Sequence, residues 1–243
     1  GEYCRVITRH KKVYTATILT DYPAAHVYEE SKTAIRKCEN MHIRLDEIVK
    51  NKEDVKALGI ENGDFIAIDP KTVYTDSGFL KSRFLDDKLS VACLITVLKE
   101  LKEKNIVPTN NVIMIISTYE EVGHGSSNIP ENISELIAVD MGCIGDDLAC
   151  SEYDVSICAK DSSGPYDYEI ISKFIVLAKC NDLNYAVDIY PFYGSDVSAA
   201  LRGGNDIKGG LIGPGVHASH GMERSHKMAI DSTIRLILAY LQD

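Results

Sequence analysis

Four short clusters in this 243-residue sequence gather side chains that hold cations or move protons. Asp86, Asp87 and Lys88 follow the apolar pair Phe84 and Leu85. Glu120 and Glu121 follow an apolar run, Asp140 closes another, and His217, His220, Glu223 and His226 lie within ten residues of one another near the end. Two adjacent carboxylates at the tip of a buried strand repel each other and lose hydration, so a positive partner or a held proton must compensate. A helix N-terminus also tolerates acids, but Gly123, His124 and Gly125 directly after the Glu pair disfavour a helix start there. Neighbouring side chains point in different directions, so one carboxylate can hold an ion while the other faces its water. Helix N-capping accounts for one of Asp86 and Asp87 but not both, and Asp140 alone could simply open a turn. Three imidazoles in ten residues, beside acids from three strand ends, shift the balance to metal.

This set contains carboxylate and imidazole but no thiolate. Such donors suit zinc, cobalt or manganese at catalytic sites, and several carboxylates suit two cations about 3.5–4 Å apart that share one ligand. Metal-assisted hydrolysis is the reaction class these residues support. Competing chemistry is thinly represented. No GxSxG elbow occurs, and the glycines at 203, 204, 209, 210, 213 and 215 match neither a dinucleotide fingerprint nor a Walker loop. Cys143 and Cys150 have no adjacent base.

The elements that must position these groups follow from periodicity. Residues 4–8, 13–19, 42–45, 64–68, 72–74 and 79–84 are short β-rich runs separated by charged or Gly/Asp turns. Residues 52–58 form the one helix expected among them, with Asn51 as N-cap and Gly59 as C-cap. Short strands with little helix point to a small barrel-like unit. Beyond residue 84 the period changes. Residues 86–104 carry apolar side chains at helical spacing, residues 111–118 and 135–141 are near-continuous apolar runs of buried-strand character, and helices follow at 167–179, 196–201 and 230–241. Strands at 185–190 and 208–212 alternate with them. The expected architecture is α/β: an αβα sandwich with a mainly parallel sheet over residues 83–243, preceded by a β-barrel-like unit over residues 1–82. In such sheets ligands gather at the carboxyl ends of the strands, where the acids stand.

Composition bounds the partners. Lys and Arg number 26 against 36 Asp and Glu, a net charge of −10 that disfavours nucleic acid. No apolar run approaches the roughly 20 residues of a membrane span, and residues 1–8 show no signal-peptide pattern. Seven scattered cysteines without a CxxC pair suit a reducing cytoplasm.

Residues 84–88 (FLDDK), 120–123 (EEVG), Asp140 at a strand end and residues 219–226 (SHGMERSH) stand together in one order. In that register the chain resembles the self-assembling, cocatalytic-metal aminopeptidases that include the glutamyl and deblocking enzymes. Residues 45–69, 77–88, 160–167 and 193–206 resemble the branch associated with the N-acetylglutaminylglutamine amide osmoprotectant system. The resemblance implies Asp86 as a ligand bridging two divalent ions, with a cis Asp86–Asp87 peptide. It implies Glu120 as general base, Glu121 and His220 completing one ion's site, and Asp140 holding the other ion. It also implies short peptides as substrates, a dimerisation domain over residues 1–82, and assembly from dimers to tetrahedral dodecamers. Ser195 and Asp196 are expected to shape the substrate pocket. The family's first metal-site histidine lies in a segment before the β-rich domain that this sequence does not contain. One of the two ion sites is therefore expected to be incomplete, with impaired activity. A non-catalytic assembly subunit and a two-metal deacylase of the same fold are the alternatives.

Overall fold

In the computed structural model, which describes residues 1–243, the chain divides into Gly1–Pro70 and Lys71–Asp243. The division lies before the change of period at residue 84. Val73–Tyr74 (β5) and Phe79–Ser82 (β6) are drawn into a three-stranded antiparallel sheet with Glu223–His226 (β13), which ties residues 71–82 to the second unit.

In the first unit, Glu2–Ile7 (β1), Val13–Thr20 (β2), Met41–Leu45 (β3) and Phe65–Ile68 (β4) form one antiparallel sheet in the order β3-β2-β1-β4. Cys4 and Val6 of β1 point inward at period two and pack with Ala16 of β2. Lys52–Ala57 (α1) is capped as the sequence predicts: Asn51 Oδ1 accepts the Asp54 N–H at 2.9 Å, and Gly59 turns the chain at φ 83°. The barrel-like closure expected of this unit does not form. No ladder joins β3 to β4, because residues 21–40 run in turns and short 3-10 stretches, and four short strands leave two open edges.

The second unit is a mixed sheet with helices on both faces. Its strands are Glu135–Val139 (β7), Gly142–Cys143 (β8), Val155–Asp161 (β9), Gly164–Pro165 (β10), Tyr185–Ile189 (β11) and Lys208–Val216 (β12). β12 is central, parallel to β7 and β8 and antiparallel to β9, while β11 lies parallel to β9. The sheet is therefore less uniformly parallel than expected, since β9 and its short partner β10 reverse direction.

Two successive glycines of β12 show how closely the helices approach. A methyl on Gly209 would meet Val197 of Asp196–Arg202 (α4) at 2.3 Å. One on Gly210 would meet Ile170 and Phe174 of Tyr168–Cys180 (α3) at 2.6 and 2.9 Å. Alternate strand positions face opposite sides, so α4 covers one face and α3 the other. Leu85–Glu103 (α2) and Lys227–Gln242 (α5) pack with α3 into the main core, around Val97, Ile157, Phe174, Ile212 and Leu236.

One expected strand is not formed. Residues 111–118 make no ladder, and Val112, Ile113, Ile115 and Ile116 remain 40–58% exposed. The run is apolar enough for a buried strand, but no strand stands beside it to complete its hydrogen bonds.

Candidate active site

The entry to α2 is irregular, and that irregularity presents the acids. Phe84 turns the chain at φ 64°, Asp86 and Asp87 have non-helical backbone angles, and the peptide between them is cis. Simple N-capping therefore describes neither aspartate. Asp86 is held from behind by Glu223 of β13, whose side chain is 1% exposed. Glu223 Oε2 accepts the backbone N–H of Leu85 at 2.5 Å and of Asp86 at 3.0 Å. Its Oε1 accepts the N–H of His220 at 2.9 Å. One carboxylate thus clamps two segments 134 residues apart in sequence.

His220, at φ 62°, faces the acids. Its Nε2 lies 3.3 Å from Asp86 Oδ2 and 3.6 Å from Glu121 Oε2. Glu120 and Glu121 sit on a single 3-10 turn that ends at Gly123, φ 79°. Asp140 directly follows β7 and is fixed by its own neighbourhood. Its Oδ1 accepts the Met141 N–H at 2.7 Å, its N–H donates to Ile212 of β12, and its carbonyl accepts the Ser90 hydroxyl of α2. Asp87, Glu120, Glu121, Asp140 and Asp196 all line one cavity of about 840 Å³.

Six carboxylates stand on or beside this cavity against the Lys88 ammonium and the His220 imidazole, so the balance is strongly negative. Burial, with repulsion from Asp87, Asp86 and Glu120, pushes Asp140 well above the usual carboxylate range. Asp87 rises to about 8, mainly through burial, against the bond from Ser90 and with Asp86 adding repulsion. Glu120 rises to about 7 through burial and the charges of Asp196, Glu121 and Asp86. Asp86 rises to about 6 through burial, Glu121 and Glu223, with His220 opposing. Buried Oδ1 atoms of Asp87 and Asp196 have no hydrogen-bond partner. Oxygen-rich donors, unsatisfied lone pairs and mutual repulsion are what a divalent cation relieves. No three of these side chains stand close enough together to form a ready cage. Glu121 and His220, 55% and 73% exposed, are the members with room to move.

The structure therefore brings Asp86, Glu121 and His220 into one group, with Glu120, Asp140 and Asp196 on the adjoining cavity. It does not bring Ser195 there. The Ser195 hydroxyl lies 2.8 Å from Tyr166 Oη, which donates to buried Asp161, and Ser195 and Ser198 form the capping box of α4. Nor does the histidine cluster stay together. His226 caps α5, accepts the Met228 N–H and packs on Phe79 and Tyr153, while His217 pairs through its backbone with Arg224.

Two residues that the sequence singles out, Glu223 and Asp196, are held in ways that local sequence does not announce. Glu223 stands in the recognised stretch, but its spacing of three from His220 signals a turn more than a clamp. Asp196 is fixed by Ser117, whose hydroxyl donates to Oδ2 at 2.8 Å. A methyl on Gly125 would come within 1.9 Å of its Oδ1, so a side chain there would have to displace that carboxylate.

Comparison with known proteins assigns the fold and the family. The model of the M42 glutamyl aminopeptidase family matches residues 1–236. The sequence is 49% identical over 243 residues to the putative aminopeptidase YhfE of Bacillus subtilis, covering all of this chain and 70% of that protein. Among solved structures, the TET1 peptidase of Pyrococcus horikoshii superposes with a TM-score of 0.82 at 20% identity, over all of this chain and 72% of the other. A TET aminopeptidase from a Thaumarchaeota archaeon gives 0.82 at 16% identity, over all of this chain and 70% of that one. With a matching fold, a relative nearly half identical and a family model spanning nearly every residue, the chain belongs to the M42 glutamyl aminopeptidase family.

Proposed function

We propose that this chain is a metal-dependent aminopeptidase that removes N-terminal residues from short peptides. The observation that carries the reading is the convergence of Asp86, Glu121 and His220 beside a cavity edged by Glu120 and Asp140. Asp86 would be shared between two divalent ions, with Glu121 and His220 on one and Asp140 on the other. Zinc, cobalt or manganese all suit these donors. When bound, such ions supply Lewis acidity toward a peptide carbonyl and toward water.

Glu120 is the proton carrier in this reading. Partly buried and raised to about 7, it can take a proton from water near neutral pH and return it to the leaving amine. Asp196, across the cavity, supplies negative charge that suits a substrate's free α-ammonium group, while Ser195 holds the start of α4 that carries Asp196. Glu223 fixes where Asp86 and His220 stand.

We infer further that residues 1–82 serve self-association into dimers and larger shells. The exposed Tyr3, Val13, Phe65 and Ile66 in the first unit support this. The Pyrococcus TET1 peptidase assembles into a tetrahedron or a large octahedral shell. No helix is long and apolar enough to cross a membrane, and the seven free cysteines support a place in the cytoplasm.

The test is hydrolysis of leucyl- and glutamyl-p-nitroanilide after chelation and reconstitution with zinc, cobalt or manganese. Metal-dependent turnover of free-amine substrates is expected, with Glu120→Gln about 10²–10⁴-fold slower. Turnover of N-acetylated substrates alone would replace the reading with a deacylase. Metal uptake without turnover of either would leave an assembly subunit.

A further inference from the structure

Tyr193 lies between β11 and α4, and its side chain reaches the acids. Its Oη donates to the Met141 carbonyl at 3.0 Å and is hydrogen-bonded to the Asp140 carboxylate. The Met141 N–H, given mainly to Asp140 Oδ1 at 2.7 Å, also points to Tyr193 Oη at 3.4 Å. The hydroxyl end is buried. One phenol thus meets the Asp140–Met141 turn at its amide, its carbonyl and its carboxylate.

Two features hold that contact in place. The Tyr193 carbonyl accepts the Ser162 N–H at 3.1 Å and the Ser162 hydroxyl at 2.5 Å, which pins its backbone. Its ring lies 5.4 Å from that of Tyr190 and packs against both the main core and the small cluster of Leu85, Leu89, Met141 and Val216. Leu85 directly precedes Asp86, so the ring touches both the residue before one acid and the residue after the other. The backbone bonds of Asp140 to Ile212 and Ser90 fix where the residue stands, but they leave its side chain free to rotate. The Met141 N–H and the Tyr193 hydroxyl are the groups that orient the carboxylate. A phenol is neutral near neutral pH and donates one proton, so it can aim a carboxylate without competing for it as a second cation would.

We propose that Tyr193 is a positioning residue, whose hydroxyl holds the Asp140 carboxylate and the Met141 turn in the orientation that a divalent cation shared with Asp86 requires. The inference rests on the metal-dependent reading above. Tyr193 touches neither cation nor substrate in this role; it acts through Asp140, as outer partners of ligating carboxylates do. Tyr190, three residues earlier, supplies an internal control. It is 1% exposed, and its hydroxyl bonds Ser156 at 2.6 Å instead of an acid of the site.

Cobalt(II) titration of the metal-free protein, followed by visible absorption and equilibrium dialysis, tests this with Tyr193→Phe beside Tyr190→Phe. Each variant keeps its ring and loses one buried hydroxyl, so both are expected to fold with similar urea midpoints. Tyr193→Phe is expected to lower the affinity of one of two cobalt ions about 10-fold and to shift its absorption band. The other ion, and both ions in Tyr190→Phe, should stay within about 2-fold of the wild type. At saturating cobalt, Tyr193→Phe should lower kcat for leucyl-p-nitroanilide and leave KM unchanged, because Asp196 is held separately by Ser117. A readout that needs no variant is the NMR signal of the hydroxyl-bearing ring carbon. Zinc should shift that of Tyr193 and spare that of Tyr190. Equal cobalt affinity and spectrum in wild type and Tyr193→Phe, or a Tyr193 signal indifferent to zinc, would overturn the proposal and leave the metal reading standing. Equal losses in the two variants would also overturn it, making the hydroxyl a support of the fold alone. A wild-type protein that takes up no cobalt would instead overturn the metal reading and this proposal with it.

Discussion

β12 and residues 111–117 are both apolar segments of the second unit, and their fates are opposite. Residues 111–117 (NVIMIIS) are rich in β-branched side chains, whereas β12 (KGGLIGPGV) carries four glycines and a proline, residues usually depleted in strands. Yet β12 is bonded along both edges and almost wholly buried, and the richer run is unpaired and half exposed. Propensity does not decide between them; neighbours do. The glycines of β12 let the helices of both faces and the adjoining strand approach to distances that no Cβ would allow. The run at 111–117 has one-sided packing and no strand to satisfy its backbone.

The largest effect is therefore expected where β12 touches the site. A methyl on Gly213 would lie 1.8 Å from the Asp140 carbonyl oxygen and 2.5 Å from its carbon, both backbone atoms without freedom to yield. Gly213→Ala should cost about 3 kcal/mol or more in urea unfolding and displace Asp140, lowering metal binding as well. A change below about 1 kcal/mol would mean that β12 is not held as tightly as its burial indicates.

Next in size is the pH dependence of the metal-free protein. Asp86, Asp87 and Glu120 are raised to about 6, 8 and 7, and burial also raises Asp140 well above the usual carboxylate range. A carboxyl whose folded pKa exceeds its unfolded value binds more protons when folded, so stability falls as pH rises above the unfolded value near 4. The decline should continue to about pH 8 and amount to a few kcal/mol, because the coupled groups do not add in full. Thermal unfolding at fixed ionic strength measures it. Saturating zinc or cobalt should flatten the curve, while a metal-free protein equally stable at pH 5 and pH 8 would contradict the negative balance of charge.

How much of this was legible beforehand depends on the range of each interaction. Asp86, Glu121 and Asp140 could be read because each follows a local signal, an apolar run ending in an acid. The helices over residues 86–104, 167–179 and 230–241 were legible through their period, and Asn51 through its cap. The density of histidines misled, since His226 serves α5 and the aromatic pair Phe79 and Tyr153 while His220 alone reaches the acids. The strand expected at 111–118 failed for a related reason: its pattern reports burial, but pairing needs a partner that local sequence cannot supply. Glu223 was legible as one of that polar cluster but its clamp was not, because it joins segments that only the folded sheet β13-β6-β5 brings together.

That clamp makes the third prediction. Glu223→Gln preserves shape but exchanges one acceptor oxygen for a donor, so either the Leu85 and Asp86 amides or the His220 amide loses its partner. A loss of about 2 kcal/mol in stability and roughly 10-fold in metal affinity is expected. Glu223→Asp, too short to span both sides, should not rescue it. If metal affinity is unchanged while stability drops, Glu223 supports the fold alone and does not position the ligands.

The smallest effect is expected in the unpaired run, and it is the one that separates the two segments most directly. Ile116 is 58% exposed, so Ile116→Thr removes little buried surface and keeps the β-branch. In the 243-residue chain it should change stability by no more than about 0.5 kcal/mol, against the several expected for Gly213→Ala on β12. Measuring the variant beside Gly213→Ala by urea unfolding thus turns one mild mutation into a reading of how tightly its segment is packed. A cost near 2 kcal/mol in the chain alone would show that residues 111–117 are already packed like β12 and would erase the contrast between them.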